Sequence, residues 1–263
     1  DGIYDIYYII SGNCPDTAIV NYTILPAPDI DLDFIQQLPC AGYQLYVDNL
    51  STNLINEQYA WYVNDSLFYS NINEPFFVFQ PGYYNIKVIA NNQYNCITEI
   101  NILDSFPIYD TVPLSQPDII RSTVFENSMV YSEWLGESLP LNPLMNYLLF
   151  RSTDTINYSF IATIDSSITH YLDADVDVFN NNYYYKIVSK NICEITSDTS
   201  NLGSSILLDF ERPDNYSTRL KWNFYSGWQG GIDRYEIQKL NKNGQWETIH
   251  STQDIDDNIL IDE

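Results

Sequence analysis

Basic residues are scarce in this chain: 11 Lys and Arg stand against 35 Asp and Glu in 263 residues, a formal net charge of −24 at pH 7. Nucleic-acid binding rests on clustered Lys and Arg, so a nucleic-acid partner is excluded. Histidine is rarer still. The only two, His170 and His250, fall in no His-Glu-x-x-His spacing, and no nucleophile elbow, phosphate loop or dinucleotide fingerprint is present. The chain is therefore expected to be non-enzymatic. Carboxylates are abundant enough to pair, but a glycosidase needs two across a cleft, which tandem small sandwiches rarely make. No apolar run approaches the roughly 18 residues that span a bilayer, so no direct membrane insertion is expected. Helical periodicity is missing over any ten residues; Phe34 to Leu38 offers one turn before Pro39.

What is present is alternation. Tyr84-Asn85-Ile86-Lys87-Val88-Ile89 and Tyr184-Tyr185-Lys186-Ile187-Val188 are half-buried strand patterns, and such segments recur about every ten residues between Asn, Asp, Gly, Pro and Ser. The 23 tyrosines and 12 phenylalanines suit half-buried sheet faces. The expected class is all-β, as tandem immunoglobulin-like β-sandwiches in an elongated array.

The chain also repeats itself. Gly2, Tyr4 and Ile6 recur 80 residues later as Gly82, Tyr84 and Ile86, and Cys14 recurs as Cys96. Trp134, Tyr147 and Asp173 recur as Trp222, Tyr235 and Asp262 with offsets of 88, 88 and 89. Periods of this length match whole small domains instead of solenoid units. Proline-rich seams at Pro26-Ala-Pro28 and at Pro107, Pro113 and Pro117 read as short semi-rigid spacers. The expected domains are 1–25 (closing strands), 26–106, 107–206 and 207–263 (incomplete). Both ends fall inside a repeat, so a longer parent protein is expected. The last seam, through Ser204-Ser205-Ile206-Leu207-Leu208, leaves little room for hinge motion.

Four cysteines are few. Cys40 precedes the first strands of one unit and Cys96 lies in its last hairpin, and a disulfide between them would contribute about 4 kcal/mol by chain entropy. Cys14, at the position of Cys96, would have its partner upstream, and Cys193 has no evident mate. This usage favours an oxidising, extracytoplasmic location; the alternative is reduced thiols in a cytosolic protein. Calcium is the chemical candidate, since Asp29-Ile-Asp31-Leu-Asp33 and Asp173-Ala-Asp175-Val-Asp177 offer alternate carboxylates. The competing reading makes these aspartates the solvent face of an edge strand. No other cofactor is expected. Trp61, Trp134 and Trp222 sit where sandwich cores need them, whereas Trp228 and Trp246 are the candidates for stacking on sugars.

The residues Cys40-Ala-Gly42, Asn49-Leu-Ser51, Tyr59-Ala-Trp61, Pro75 and Pro81-Gly-Tyr-Tyr-Asn-Ile-Lys-Val88 make 28–103 resemble a PKD-type domain. It departs from that family in Tyr62-Val-Asn-Asp-Ser66, where an acidic, glycine-rich turn is usual. Residues 1–25 resemble the end of another such domain. Trp134, Tyr147-Leu-Leu-Phe-Arg151, His170-Tyr-Leu-Asp173 and Tyr183-Tyr-Tyr-Lys-Ile187 make 115–208 resemble a fibronectin type III domain, with a second copy in Leu220-Lys-Trp222, Tyr235-Glu-Ile-Gln-Lys239 and Ile261-Asp262. The order of these units, with Tyr225-Ser-Gly-Trp-Gln-Gly230 in the last, is similar to gliding-motility-associated surface proteins of Bacteroidota. That resemblance implies export by the type IX secretion machinery and a stalk or adhesin at the outer cell surface, with extracellular glycans or other surface proteins as partners. Two alternatives stay open: an accessory region of a secreted polysaccharide hydrolase, and cargo retained on the secretion machinery. The resemblance also implies O-glycosylation where Asp precedes Ser or Thr and a small or aliphatic residue, at Thr17, Ser66, Thr111 and Thr155; the alternative is turn residues bonding their own backbone.

Overall fold

The computed structural model of the chain describes residues 2–34, 39–51, 58–213, 216–225, 231–254 and 256–262. Every regular element among them is a β-strand, so the protein is all-β. The helical turn expected at Phe34 to Leu38 lies, beyond Phe34, outside the described residues. The chain divides into two compact units, Asp1–Asp110 and Thr111–Glu263.

The first unit opens with a two-stranded antiparallel ribbon of β1 (Gly2–Ile10) and β2 (Asp16–Ile24), paired from Gly2↔Ile24 to Ile10↔Asp16. It continues through β3 (Leu32–Phe34), β4 (Gln44–Asn49), β5 (Gln58–Val63), β6 (Ser66–Ser70), β7 (Phe76–Val78), β8 (Gly82–Asn91) and β9 (Ile97–Ile108). These form a three-stranded sheet, β3-β4-β7, and a four-stranded sheet, β6-β5-β8-β9. Period-2 alternation sends one side of each strand inward: Leu45 and Val47 from β4 and Phe77 from β7 meet Tyr59, Trp61, Ile86, Val88 and Ala90 from the other sheet. Each such side chain contributes roughly 1.5–3 kcal/mol by leaving water. Trp61 anchors the core, edge-on to Phe77 at 6.2 Å, and its indole N–H donates to the Ile72 carbonyl at 2.6 Å. Repetition in sequence does not guarantee repetition in burial. Ile86 is 0% exposed, whereas Ile6, its counterpart in the two-stranded ribbon, is 57% exposed because no second sheet faces it among the described residues.

The departure from the PKD pattern at Tyr62 to Ser66 is a tight hairpin. Asn64 and Asp65 both adopt positive φ, 48° and 62°, as a primed turn requires, and Asn and Asp tolerate that region best after glycine.

The second unit holds β10 (Asp118–Phe125), β11 (Met129–Leu135), β12 (Leu144–Ser152), β13 (Ser159–Asp165), β14 (His170–Asp173), β15 (Tyr184–Asn191) and β16 (Gly203–Ser204), arranged as β10-β11-β14 against β13-β12-β15-β16. This is the same three-on-four immunoglobulin-like sandwich as in the first unit. Trp134 and Tyr147 meet edge-on at 5.5 Å in a core completed by Ile119, Val130, Leu149, Tyr185 and Ile187. Gly203 is required by close packing: a Cβ there would lie 2.6 Å from Ser122 Oγ and 2.8 Å from an Ile119 methyl.

A further set follows: β17 (Leu208–Glu211), β18 (Thr218–Trp222), β19 (Tyr235–Leu240), β20 (Trp246–Thr252) and β21 (Ile259–Asp262). They form the sheet β17-β18-β21 and the hairpin β19-β20, with Trp222 and Tyr235 buried between them, ring centroids 5.9 Å apart.

Candidate functional site

The disulfide expected between Cys40 and Cys96 is not formed. Cys96 and Cys14 are free thiols, while Cys40 and Cys193 are both disulfide-bonded. The geometry explains the failure. Cys40 bridges Tyr109, immediately after the end of β9, whereas Cys96 immediately precedes its start. A strand of that length separates them by roughly 40 Å at 3.3 Å per residue, far beyond the 7 Å or so between Cα atoms that a disulfide spans.

The two aspartate runs resolve differently from one another. In the first, Asp29, Asp31 and Asp33 are exposed, while Ile30 and Leu32 pack against the core. The Asp31 backbone extends the ladder, accepting from the Leu50 N–H at 2.9 Å and donating to Ser51 Oγ at 2.9 Å. This is the solvent-face arrangement. In the second run the carboxylates diverge. Asp173, 3% exposed, accepts from Arg151 Nη1 at 3.0 and 2.9 Å, from the Tyr185 hydroxyl at 2.9 Å and from the Asp175 N–H at 3.2 Å. Asp175 stands in solvent with Arg151 Nη2 at 3.5 Å, and Asp177 caps its own turn through the Phe179 N–H and the Asn180 amide. Burial, then the neighbouring Asp173 carboxylate, pushes the Tyr185 hydroxyl far up, so it remains a proton donor. Arg151, Asp173 and Tyr185 thus form a latch joining β12, β14 and β15. Among the described residues no group of three or more His, Cys, Asp or Glu is placed to hold a metal ion.

Thr17, Ser66, Thr111 and Thr155 are all exposed. Thr155 sits on a loop wound around Asp154, whose carboxylate accepts from the Ile156 and Asn157 N–H groups at 2.9 and 2.8 Å and from the Asn157 side chain at 2.7 Å. Those bonds, led by the Asn157 N–H, hold the Asp154 carboxyl well below the usual range. Thr155 itself has φ of 65°, costly for a β-branched residue. Ser66 opens β6 directly after the Asn64-Asp65 turn, and Thr17 follows the first residue of β2. Trp246 is 68% exposed at the start of β20, opposite Leu240 and on the same face as Gln238 and Thr248. Trp228 lies outside the described residues.

Sequence reasoning missed the polar fastening inside the second unit. Asn223 Oδ1 accepts from the Leu207 N–H at 2.6 Å, and Asn223 Nδ2 donates to the Ser205 carbonyl at 3.2 Å. The Tyr225 hydroxyl sits 3.3 and 3.4 Å from the Ser122 N–H and carbonyl of the preceding sandwich. A cleft of about 290 Å³ opens beside this seam, walled by Arg121, Ser122, Ile206, Tyr225 and Arg234. Both guanidiniums are committed to carboxylates, Arg121 to Glu133 at 2.9 Å and Arg234 to Glu236 at 2.7 Å. No local signal in the sequence distinguishes Asn223 and Tyr225 from other surface residues.

No protein-family model and no curated protein matches this sequence. Among solved structures, a segment of titin aligns over 76% of this chain and 73% of its own length at 12% identity and a TM-score of 0.44. Fibronectin(III)-like modules of Clostridium thermocellum CbhA align over 66% of this chain and 93% of theirs at 12% identity and a TM-score of 0.37. Pectate lyase Pel3 of Pectobacterium carotovorum aligns over 34% of this chain and 26% of its own length at 16% identity and a TM-score of 0.30. The three-on-four strand order therefore carries the immunoglobulin-like assignment by itself.

Proposed function

We propose that the chain is a non-catalytic stalk or adhesin segment of a large secreted cell-surface protein, exported through the type IX pathway and linked to gliding or surface adhesion. The observation that carries this reading is the fastening within the second unit, where Asn223 and Tyr225 tie one sandwich to the next across a connection of only a few residues. Such a seam passes orientation and load from one small core to its neighbour. Exposed carboxylates on outward strand positions keep the surface soluble and discourage edge-to-edge pairing. Export is supported by the disulfide-bonded state of Cys40 and Cys193. No helix among the described residues is long and apolar enough to cross a membrane. Glycans on Thr17, Ser66, Thr111 and Thr155 would add protease resistance.

Protease treatment of intact cells producing the parent protein tests the proposal. Loss of an epitope within 1–263 from whole cells, with a periplasmic marker spared, is the expected result; an epitope protected until lysis would refute surface display. A second reading, as the accessory region of a secreted polysaccharide hydrolase, draws on the exposure of Trp246 beside Gln238 and Thr248. Pull-down on insoluble polysaccharides that is abolished by Trp246→Ala would favour it, and retention of the variant would remove it.

A further inference from the structure

The outer face of the sheet β13-β12-β15-β16 is ordered in rows. Tyr147 and Leu149 of β12 turn into the core, at 2% and 0% exposure, so Asn146, Leu148 and Phe150 lie on the opposite face. Register sets their cross-strand partners on that face with them. Phe150 stands between Phe160 of β13 and Lys186 of β15, and Asn146 stands between Asp165 and Lys190. Leu148 fills the row between these two. Phe160 is 55% exposed, its ring 5.8 Å from that of Phe150 and turned 69° to it.

The charges on this face are sorted across the strands. Asp165 lies on the β13 side, and both lysines lie on the β15 side. Lys186 makes no ion pair among the described residues and rests over the Tyr158 ring at 4.8 Å. Lys190 has one partner, the exposed Glu194, at 3.5 Å. Asp165 Oδ1 accepts from the Ser167 hydroxyl and N–H at 2.6 and 2.9 Å, which holds its carboxyl below the ordinary value and leaves Oδ2 to accept from elsewhere. This pattern is complementary to itself. A two-fold axis laid along β12 exchanges the two sides of the sheet, so Asp165 of one copy comes over Lys190 of the other and Phe160 over Lys186, while Leu148 and Phe150 meet their own counterparts. Other occupants match only half of it. An acidic peptide would meet Asp165, a basic one would meet the lysines, and a sugar would find no flat platform on rings set at 69°.

We infer that this face docks a second copy of the chain, packed sheet on sheet about a two-fold axis along β12. Three strands about 4.8 Å apart and roughly 26 Å long give about 400 Å² of flat sheet per copy, and side-chain relief brings the two together to roughly 1,000 Å², the lower edge of a specific interface. One such face therefore makes a weak and short-lived dimer. The net charge of −24 opposes the approach of two copies, but salt near 0.15 M screens charges beyond roughly 8 Å and leaves the facing pairs in contact.

Sedimentation equilibrium of the 1–263 chain tests the pairing in about 0.15 M salt at up to about 500 µM, with Cys14 and Cys96 alkylated to prevent cross-linking through their free thiols. A monomer–dimer equilibrium is expected. Lys190→Glu weakens it about tenfold, since each dimer holds that contact twice, and Phe160→Ala weakens it by about the same factor. Lys190→Glu combined with Asp165→Lys restores the dimer by exchanging the charges. Carbodiimide treatment of mixed ¹⁴N and ¹⁵N chains yields peptides that join Lys190 of one isotope to Asp165 of the other. Unchanged far-UV circular dichroism verifies that each variant keeps the fold. A chain that stays monomeric throughout leaves the face to some other partner and overturns the inference. So does a dimer indifferent to both single variants, a charge exchange no tighter than Lys190→Glu alone, or cross-linked peptides of one isotope only.

Discussion

Replacing Asp173 by Asn tests the latch in the middle sandwich. The carboxylate is 3% exposed and receives the Arg151 guanidinium, the Tyr185 hydroxyl and the Asp175 N–H. An amide of the same shape keeps one acceptor oxygen but presents an N–H₂ to donors and leaves the Arg151 charge without its main partner. Breaking a buried ion pair from one side costs about 3–5 kcal/mol. Arg151 retains 21% side-chain exposure and has Asp175 within 3.5 Å, so the expected loss falls to roughly 2–4 kcal/mol. For a sandwich of this size that lowers its melting midpoint by roughly 10–25 °C. The chain holds more than one hydrophobic core, so the readout must be local: hydrogen exchange of amides in β12, β14 and β15, together with Trp134 emission during urea unfolding. Replacing the whole latch, Arg151→Met with Asp173→Leu and Tyr185→Phe, should recover much of the loss because neither a charge nor a buried hydroxyl is stranded. A loss below about 0.5 kcal/mol for Asp173→Asn, or a triple variant no better than the single one, would refute the latch as a buried electrostatic joint.

Asn223→Ala should destabilise the seam by about 1–2 kcal/mol, seen as faster exchange of the Leu207 amide; unchanged exchange would show that the fastening contributes nothing. The Asp154 carboxyl is held low by its loop, so its stabilising effect is present above the ordinary aspartate value of about 3.9 and is lost only as pH falls through the lower folded value. The Ile156 and Asn157 amide shifts should accordingly stay flat through that ordinary range, and a midpoint near it would contradict the hydrogen-bond pattern. Alkylation of the folded, unreduced protein should label Cys14 and Cys96 and spare Cys40 and Cys193; label on Cys40 would overturn the disulfide assignment.

Strand alternation made the fold legible because period 2 is a backbone property that survives any packing partner. Leu45, Val47, Ile86, Val88 and Tyr185, Ile187 face inward for that reason. The core tryptophans were legible as well, since Trp61, Trp134 and Trp222 occupy inward strand positions and are buried. The seam was only half legible. A short connection through Ser204 to Leu208 announces closeness, but the grip comes from Asn223 and Tyr225, which are distant in sequence from Ser122 and ordinary in type. The cysteine pairing was misread because order along the chain does not say to which end of a sandwich a loop returns. Cys40 and Cys96 flank opposite ends of β9, and it is the bridge between Cys40 and Tyr109 that reveals it.

The two Asp-x-Asp-x-Asp runs show what alternation cannot encode. In both, carboxylates project every second residue, so spacing alone gives one reading for the pair. In the first run the chain leads into β3, which begins at Leu32; Ile30 and Leu32 pack against the core, and every carboxylate stays exposed. After β14 the strand stops at Asp173, and the chain turns through Asp175 to Asp177, so the three side chains leave in three directions. The difference originates with Arg151 and Tyr185, which stand in β12 and β15 and supply donors that only an inward Asp173 can meet. Asp33 stands in register with Asp48, where Asp173 turns inward to the Arg151 guanidinium. Asp173 is thereby a determinant of stability, whereas the first run keeps its carboxylates on the solvent side of the chain.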